Sequence, residues 1–318
     1  MTAGTIEVSL EAVIFAVTDN APRFLTVAGP NGLRALPEGP LQREDPTLEI
    51  GLRRWIQDQA GLEVGYVEQL YTFGDMGRNT VDSDRLLSVA YLALVREGLP
   101  SAGAAWVDVY DFFPWEDHRH GPPAVIAERI LPALARYARD APNHRIAQER
   151  AERTQIMFGQ GGAVFDAVRA LERYELLYEA GLVREAELAR PNESPVGTGG
   201  DDPSAGLDDI GSQPMYLDHR RIAATALSRL RGKLTYRPVV FELLPSRFTL
   251  SRLQKVVESL AGVGLHKQNF RRLVEAGGLV EGTGEMASTG GRPAELFRFR
   301  REVLRERPRP GISSVGYR

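Results

Sequence analysis

The segment from residue 248 to residue 299 decides the fold of the C-terminal part, and it reads FTLSRLQKVVESLAGVGLHKQNFRRLVEAGGLVEGTGEMASTGGRPAELFRF. Apolar residues recur through its first part at the spacing of one buried helix face, namely Leu250, Leu253, Val256, Val257 and Leu260. Thr249 directly precedes them and is a residue type that often caps a helix N-terminus. We therefore predict a helix that begins after Thr249 and ends before a turn at residues 261–264.

A second helix is predicted after that turn, because Phe270, Leu273 and Val274 again share one face. Gly277-Gly278 is a favourable C-terminus for it. Two short strands follow at residues 279–280 and 296–299, and the glycine-rich segment between them closes on Gly290-Gly291-Arg292-Pro293. Two helices, a tight turn and a strand pair with an intervening loop form the layout of a winged helix-turn-helix domain.

Basic and amide side chains occupy the outward positions of the second helix, and Lys and Arg can neutralise phosphates while Gln, Asn and Arg can read base edges. We predict a DNA-binding surface made of this helix, the start of the first helix and the wing: Thr249, Arg252, Lys267, Gln268, Asn269, Arg271, Arg272 and Arg292. Arg271 and Gln268 are the predicted base contacts. The alternative is an ordinary solvated basic face.

The charge distribution favours DNA binding over that alternative. Residues 216–318 carry 20 Lys and Arg against 9 Asp and Glu, a net charge of +11, whereas the whole chain is −3 and residues 1–215 therefore carry −14. A basic module joined to an acidic one is typical of a DNA-binding protein. The 318 residues contain no Cys, so disulfides and thiolate chemistry are excluded. The N-terminus lacks a secretion signal and no apolar run reaches a membrane span, so we expect a cytoplasmic location and no membrane partner.

The N-terminal part predicts a strand, strand, helix, strand order. Strands are expected at residues 5–17, 23–28, 65–73 and 86–95, with a turn at Asp19-Asn20-Ala21-Pro22. A helix is expected from an N-cap at Asp45, with Pro46 at its first position, to about Ala60 before Gly61. A further helix is expected at residues 123–140.

This order resembles a Nudix domain, and the resemblance is sharpest at Arg54, Ile56, Gly61 and Leu62, which match the end of the Nudix box. The other box positions depart from the pattern. Pro40 replaces the first Gly, and Pro46, Trp55 and Gln59 replace three of the four acidic residues, which leaves Asp58. Hydrolysis of a pyrophosphate needs Mg²⁺ held by clustered carboxylates. We therefore predict a degenerate domain with no catalytic residue and no metal site, and we interpret Glu38, Glu44 and Glu49 as surface acids.

The middle of the chain predicts helices and then a linker. Residues 142–190 have helical spacing, whereas residues 191–213 are rich in Pro, Gly, Ser and Asp and cannot form a core. The predicted fold class is α+β. Its parts are a degenerate Nudix α/β/α sandwich at 1–140, a helical segment at 141–190, a flexible acidic linker at 191–215, a winged helix domain at 216–305, and a basic tail at 306–318. A basic helix at 217–234 leads to the first winged-unit helix at 237–245.

A degenerate Nudix domain followed by this winged unit resembles the Nudix-related transcriptional regulators of NAD metabolism, the NrtR and NadQ types, and the long middle segment is most similar to the NadQ branch. The motifs that carry the resemblance are residues 241–245, 248–250, 253–254, 269–272 and 291–294, with residues 69–75 and 88–92 in the Nudix part. The resemblance implies a homodimeric repressor that binds double-stranded operator DNA and senses an adenine nucleotide such as ADP-ribose, NAD or ATP, with no resident cofactor.

Arg side chains can bind phosphates through two N–H groups at once, and aromatic and acidic residues of the Nudix motif accompany them. The predicted effector site therefore comprises Arg34, Tyr71, Phe73, Asp75, Arg78 and Arg85. Tyr71 and Phe73 are equally interpretable as ordinary alternating strand residues. The family's Arg-Asp-Pro-Arg-Gly pattern is replaced here by residues 78–85, so the effector's identity stays open. Two other functions remain: an active Nudix hydrolase with an appended DNA-binding domain, and a regulator of another pathway such as sugar catabolism.

Overall fold

The computed structural model describes residues 6–74, 85–96, 98–188, 210–288 and 293–312. Its N-terminal part is built on a seven-stranded sheet. The strands are β1 (Ile6–Thr18), β2 (Ala21–Ala28), β3 (Arg34–Ala35), β4 (Glu38–Pro40), β5 (Tyr66–Phe73), β6 (Arg85–Leu94) and β7 (Ala104–Asp108). Their order is β3-β2-β1-β6-β5, with β4 beside β1 and β7 beside β2. β1 and β6 run parallel, so the middle of the sheet joins segments that are far apart in sequence.

The turn between β1 and β2 is shorter than the predicted four residues. Asp19 and Asn20 both have positive φ angles, 51° and 63°, which is the conformation of a two-residue hairpin turn that matches strand twist. Pro22, which was predicted to lie in the turn, instead pairs with Val17 inside the hairpin.

The Nudix-box segment forms helix α1 (Leu48–Ala60), and the predicted end at Gly61 is confirmed by a φ of 67° there. The predicted N-cap at Asp45 is wrong, because the Thr47 side chain accepts the hydrogen bond from the Ile50 N–H. Both residue types are good caps. Leu52 and Ile56 of α1 are fully buried against one face of the sheet, so the box helix covers that face.

Helices of the central part cover the opposite face. They are α2 (Val109–Phe112), α3 (Leu131–Arg139), α4 (His144–Phe158), α5 (Ala170–Glu179), α6 (Arg184–Leu188) and α7 (His219–Tyr236). The helix predicted at residues 123–140 begins as a π-helical turn at Ile126–Ile130 and continues as α3. One hydrophobic cluster includes this sheet face, these helices and the C-terminal unit, so the central helices connect the two ends of the chain.

The predicted linker is only partly within the described residues, since residues 189–209 lie outside them. Its last part is packed rather than flexible. Ile210 and Met215 are 4% and 0% exposed, and the Met215 N–H donates to a carboxylate oxygen of Glu185. The predicted linker boundary at 215 is therefore corrected, because apolar side chains anchor residues 210–215 to the core.

The C-terminal unit has the predicted winged layout, with α8 (Leu250–Ala261), α9 (Lys267–Ala276), β8 (Val280–Ala287), β9 (Ala294–Phe299) and α10 (Val303–Glu306). The Thr249 cap is confirmed. The strands are longer than predicted because cross-strand pairing extends to Ala287 and Ala294. Residues 237–245 contain only a short 3₁₀ turn at Val239–Leu243. No helix in the described part of the chain is long and apolar enough to span a membrane.

Helix α7 was assigned to the winged domain by the boundary at 216, and its packing corrects that assignment. It packs against α5, against strands β1, β5 and β6, and against α8. Its buried stripe includes Ile222, Leu227 and Leu230. Since these side chains lie in the core shared by both ends of the molecule, α7 connects the sheet domain to the winged unit.

Candidate nucleic-acid interface and ligand site

Helix α9 has one apolar face and one polar face. Phe270 and Val274 are buried, 2% and 0% exposed, and they fix the helix on the winged core. The opposite face is exposed and carries all five predicted DNA-binding residues of this helix: Lys267, Gln268, Asn269, Arg271 and Arg272. An exposed helix that begins with Lys-Gln-Asn and continues with Arg-Arg can enter a major groove and bind both phosphates and bases.

The polar side chains of α9 differ in what they already bind. Arg272 donates from Nη2 to the Asn269 Oδ1 at 2.8 Å. Among the described residues, Lys267, Gln268 and Arg271 have no side-chain hydrogen bond or ion pair. These three side chains are therefore available to a ligand without breaking an internal contact.

The neighbouring predicted residues contribute in part. Arg252 is exposed near the start of α8, whereas Thr249 is half-buried and its hydroxyl oxygen accepts from the Arg252 N–H at 3.1 Å. The Thr249 hydroxyl therefore serves as the N-cap of α8, and the half-buried side chain is only partly accessible to DNA. Arg292, the predicted wing contact, lies outside the described residues. Three other basic side chains of the unit are paired within it: Arg247 with Glu285, Arg298 with Glu281, and Arg300 with Glu306.

The Nudix-box helix has its polar groups bound internally. The Trp55 Nε1–H donates to the Pro40 carbonyl at 3.0 Å. Gln59 donates from Nε2 to the Glu38 carbonyl at 2.7 Å and accepts from the Glu38 N–H at 3.1 Å. Gly39 lies against the indole so closely that a Cβ there would be 2.1 Å from the Trp55 ring. Two residues that replace box carboxylates therefore bind strand β4, which precedes the helix.

The two other charged groups of the box are also paired. Arg54 donates to both Asp45 oxygens, at 3.2 and 3.0 Å, and its contact with Asp58 is looser, at 3.9 Å. The Arg54 hydrogen bond, followed by the Gln42 N–H, holds the pKa of Asp45 below its ordinary value. Asp58 keeps 57% of its side chain exposed. One exposed carboxylate beside a guanidinium is a poor site for Mg²⁺, which needs several oxygen ligands.

The predicted effector residues on β5 and β6 lie at one edge of the sheet. The Tyr71 and Phe73 rings meet edge to face with centroids 5.4 Å apart, but Phe73 is buried at 5% exposure and Tyr71 is 64% exposed. Arg85 is exposed and donates to the Gly74 carbonyl at 2.9 Å. Asp75 and Arg78 lie outside the described residues. Tyr71 and Arg85 are thus the described members of the set that a ligand at this edge can contact.

Arg34 does not join them. It lies on β3, and the strand order places β3 and β5 at opposite ends of the path β3-β2-β1-β6-β5. Its backbone carbonyl accepts from the Tyr216 N–H at 2.8 Å. The structure therefore separates Arg34 from Arg85, the two predicted phosphate-binding arginines that it describes.

Glu11, Glu38 and His219 are the group of described residues that could hold a metal ion, with candidate ligand atoms within 4.8 Å of one another. The Leu36 N–H donates to His219 Nδ1 at 2.9 Å, so a neutral ring carries its hydrogen on Nε2, which lies 3.6 Å from Glu38 Oε2. Nε2 then has no lone pair for a metal. Burial opposes the charged ring, but Glu38 and Glu11 outweigh it and raise the pKa of His219. The geometry therefore favours an electrostatic contact between His219 and the two carboxylates over a metal site.

Sequence reasoning missed two buried ion-pair groups. Glu116, 0% exposed, binds both Arg173 and Arg231, which are 0% and 1% exposed. Arg220 pairs with Glu185 at similar burial. The sequence of α7 did indicate buried charges, because Arg220 and Arg231 fall on the apolar face of this helix. A charged residue on a buried helix face requires a partner, but the sequence does not show which one.

The comparisons with known proteins agree with this geometry. Residues 240–299 match the family model described as the NrtR DNA-binding winged helix domain. A curated relative, the ADPR responsive transcriptional repressor NtrR of Acinetobacter baylyi, is 39% identical over 85 residues, which are 27% of this chain and 34% of the relative. The chain thus aligns with about a third of that relative's length.

Solved structures give the same fold along nearly the whole chain. Shewanella oneidensis NrtR complexed with a 27mer DNA has a TM-score of 0.55 at 20% identity, covering 98% of this chain and 97% of that chain. A MutT/nudix family protein from Enterococcus faecalis has a TM-score of 0.53 at 15% identity, covering 94% and 88%. The molecule is therefore an α+β protein with a Nudix-like domain and a C-terminal winged helix domain. At these identities the likeness shows the fold alone.

Proposed function

We propose that the protein is a ligand-responsive, DNA-binding transcriptional regulator that acts as a repressor. One observation carries this proposal: the exposed face of α9 presents Lys267, Gln268 and Arg271 without internal partners, in a unit that matches the NrtR DNA-binding winged helix model. Residues 216–318 have a net charge of +11, which favours association with phosphates. The similar Acinetobacter baylyi protein is described as a repressor.

The Nudix-like domain is proposed to bind an adenine nucleotide without hydrolysing it. ADP-ribose is the first effector to test, because the relative from Acinetobacter baylyi is described as ADPR responsive. Loss of catalysis is supported by the internal bonds of Trp55 and Gln59 to strand β4 and by the exposure of Asp58. Tyr71 and Arg85 are proposed contacts at the sheet edge, and Asp75 and Arg78 stay predictions.

The finer parts of the proposal come from the sequence resemblance. They are placement in the NadQ branch, control of NAD synthesis or salvage genes, and a homodimer that binds operator DNA. A dimer would place two copies of α9 on two half-sites about one helical turn apart. Light scattering on the purified chain, alone and with operator DNA, tests the dimer. Sequencing DNA fragments bound by the protein identifies the operator and separates NAD metabolism from another regulated pathway.

The main experiment is a set of linked titrations. Purified protein is titrated with fluorescent operator DNA alone and with ADP-ribose, NAD or ATP, and each nucleotide is then titrated with and without operator. If an effector weakens DNA binding by some factor, DNA must weaken effector binding by the same factor, and typical couplings are about 5- to 150-fold. Failure of all three nucleotides to bind, or equal binding with and without DNA, contradicts the sensor part of the proposal.

Hydrolysis is tested with the same nucleotides and Mg²⁺. We expect no turnover from the wild type. A Mg²⁺-dependent activity that disappears in Asp58→Ala would establish the hydrolase alternative instead. The matched control is Gln57→Ala, which changes an exposed neighbour on the same helix.

A further inference from the structure

The end of helix α8 is held by side chains and backbone from other parts of the chain. The last carbonyl groups of a helix have no partner within it. Here the Ser259 carbonyl accepts from the Tyr110 hydroxyl at 2.6 Å, and the Leu260 carbonyl accepts from Arg231 Nε at 3.0 Å. The carbonyl of Gly262, which follows the helix, accepts from the His118 N–H at 2.7 Å. Three groups outside the winged unit thus bind the carbonyls of residues 259, 260 and 262 at the turn of the helix-turn-helix.

Position 262 has no room for a side chain at this contact. Its φ is +70°, and a Cβ there would lie 2.3 Å from the Glu116 carbonyl, 2.5 Å from Arg231 Nη2 and 3.0 Å from the Tyr110 hydroxyl. Any side chain would therefore push the segment around Glu116 away from the turn. Because α9 begins four residues after this turn's Val263, the contact sets where the DNA-facing helix lies relative to the rest of the chain.

The groups that hold the turn are themselves fixed by a buried ion network. The Glu116 carboxylate accepts from Arg173 Nε at 2.6 Å and Nη2 at 2.8 Å, and also from Arg231 Nη1. Arg231 further donates to the Ala167 carbonyl at 2.9 Å. Two guanidiniums around one carboxylate leave a surplus positive charge, and the negative end of the α8 dipole lies beside Arg231. The network joins the segment after α2, α5, α7 and the winged unit.

Helix α7 connects this network to residues 36–38, the segment that includes the start of β4. Arg231 lies near its C-terminal end, and His219 lies at its first position, where Nδ1 accepts from the Leu36 N–H. Glu38, beside His219, is bonded through its backbone to Gln59 of α1. The 18 residues of α7 form a rod about 27 Å long. Helix α7 thus contacts residues 36–38 at its first residue and, through Arg231, the end of α8 before the turn at Gly262.

We propose that Arg231, Glu116 and Tyr110 are positioning residues that dock the helix-turn-helix turn at Gly262 and thereby let effector binding change DNA affinity; this inference rests on the proposed effector response. None of the three is part of the DNA-facing surface or of the proposed effector edge. Loss of the docking contact should leave each binding activity in place and remove the link between them.

Gly262→Ala is the main test, and Gly181→Ala is its matched control. Gly181 has the same φ of +70°, but a Cβ there would have nothing within 4 Å. Both variants therefore carry the same backbone strain, and only Gly262→Ala obstructs the docked turn. In full-length protein, ADP-ribose binding without DNA should stay within about twofold of wild type for both. The ratio of operator Kd values with and without ADP-ribose should fall from the typical 5- to 150-fold range to below about twofold in Gly262→Ala alone.

A distance measurement tests docking without any ligand. The sequence has no Cys, so cysteines introduced at Leu99 and Met286, which are 98% and 60% exposed, can carry a donor and an acceptor dye. We expect a single narrow distribution of energy-transfer efficiencies in the parent and in Gly181→Ala. In Gly262→Ala we expect this distribution to be shifted or broadened. An unchanged efficiency in Gly262→Ala overturns the proposal. If docking is lost as expected but the parent never responds to ADP-ribose, the proposed effector fails while the positioning role stands.

Tyr110→Phe provides a milder variant in case Gly262→Ala does not fold. It removes only the hydroxyl that donates to Ser259, and Tyr137→Phe is the control on α3, away from the winged unit. A reduced coupling ratio and a broadened transfer efficiency in Tyr110→Phe, absent in Tyr137→Phe, support the proposal. Wild-type values for both measurements in Tyr110→Phe contradict it.

Discussion

Helices α1 and α9 both carry a motif that points to phosphate chemistry, and the structure treats their polar groups in opposite ways. In α1, Trp55 and Gln59 donate to carbonyls of strand β4, and Arg54 is bound to Asp45. In α9, Lys267 and Arg271 have no partner among the described residues. Polar groups that are bound internally hold a fold together, whereas unbound ones on a rigid helix can bind a ligand.

The difference shows that residue type alone does not identify a functional surface. Arg54 and Arg271 are the same residue on helices of similar length, yet the first has 29% of its side chain exposed and is paired, and the second is exposed and unpaired. The bond to Asp45 lowers the availability of the Arg54 charge to a ligand. The following predictions test this contrast, from the largest effect to the smallest.

Removal of the anchor of α9 should have the largest effect. Phe270 is 2% exposed, and a buried Phe→Ala change costs about 3–5 kcal/mol because it leaves a cavity. We expect Phe270→Ala to lower the free energy of unfolding by that amount in urea titrations and to abolish operator binding. Leu304→Ala, at a position 50% exposed in the same unit, is the control and should change stability by less than about 0.5 kcal/mol. Equal effects of the two would mean that α9 is not anchored as described.

Arg271→Ala should separate binding from stability. Loss of a bidentate base contact costs about 1–3 kcal/mol of discrimination between operator and other sequences, whereas stability should stay within about 0.5 kcal/mol. Lys267→Ala is the comparison, since loss of a phosphate contact weakens binding to all sequences and makes the salt slope shallower by about 1. Fluorescence anisotropy at several salt concentrations measures both. Unchanged operator affinity in Arg271→Ala would mean that another face reads the DNA.

In α1, Gln59→Leu should lower stability without a direct effect on DNA binding, the reverse of Arg271→Ala. It removes two hydrogen bonds to the Glu38 backbone, each worth about 0.5–1.5 kcal/mol, so we expect about 1–3 kcal/mol lower stability in urea unfolding. Gln57→Leu, at an exposed position two residues earlier on the same helix, is the control. A drop in operator binding at constant stability would place Gln59 in the functional surface and erase the contrast between the helices.

The Asp45–Arg54 pair should give the smallest effect, visible mainly as a pH dependence. Arg54 lowers the pKa of Asp45 from 3.8, so the stability that the carboxylate contributes is present above pH 3.8 and is lost as the pH falls through the lowered pKa. Asp45→Asn should be less stable than wild type at pH 6, and the gap should close at more acidic pH. Thermal unfolding between pH 6 and pH 2.5 measures this. A gap independent of pH would show that the pair does not stabilise the start of α1.

The winged unit was the part that local sequence predicted best. The spacing of its apolar residues, the Thr249 cap and the glycines after each helix are local signals, and the helices lie where those signals put them. Local signals failed where two residues competed for one role, as Asp45 and Thr47 did at the start of α1. They also failed for the effector residues, because no local pattern tells that β3 and β5 lie at opposite edges of the sheet.

The sequence by itself determined the winged helix, the Nudix-like order of elements and the separation of charge between the two halves, since each depends on composition or on contacts between near neighbours. Tertiary structure alone decided which polar groups remained available. Glu116 and Arg231 are 115 positions apart, and Tyr110 meets Ser259 across 149. Such contacts form because a buried charge or an unpaired helix carbonyl needs a hydrogen-bonding partner. Which residue becomes that partner depends on the packing of distant segments in the folded chain.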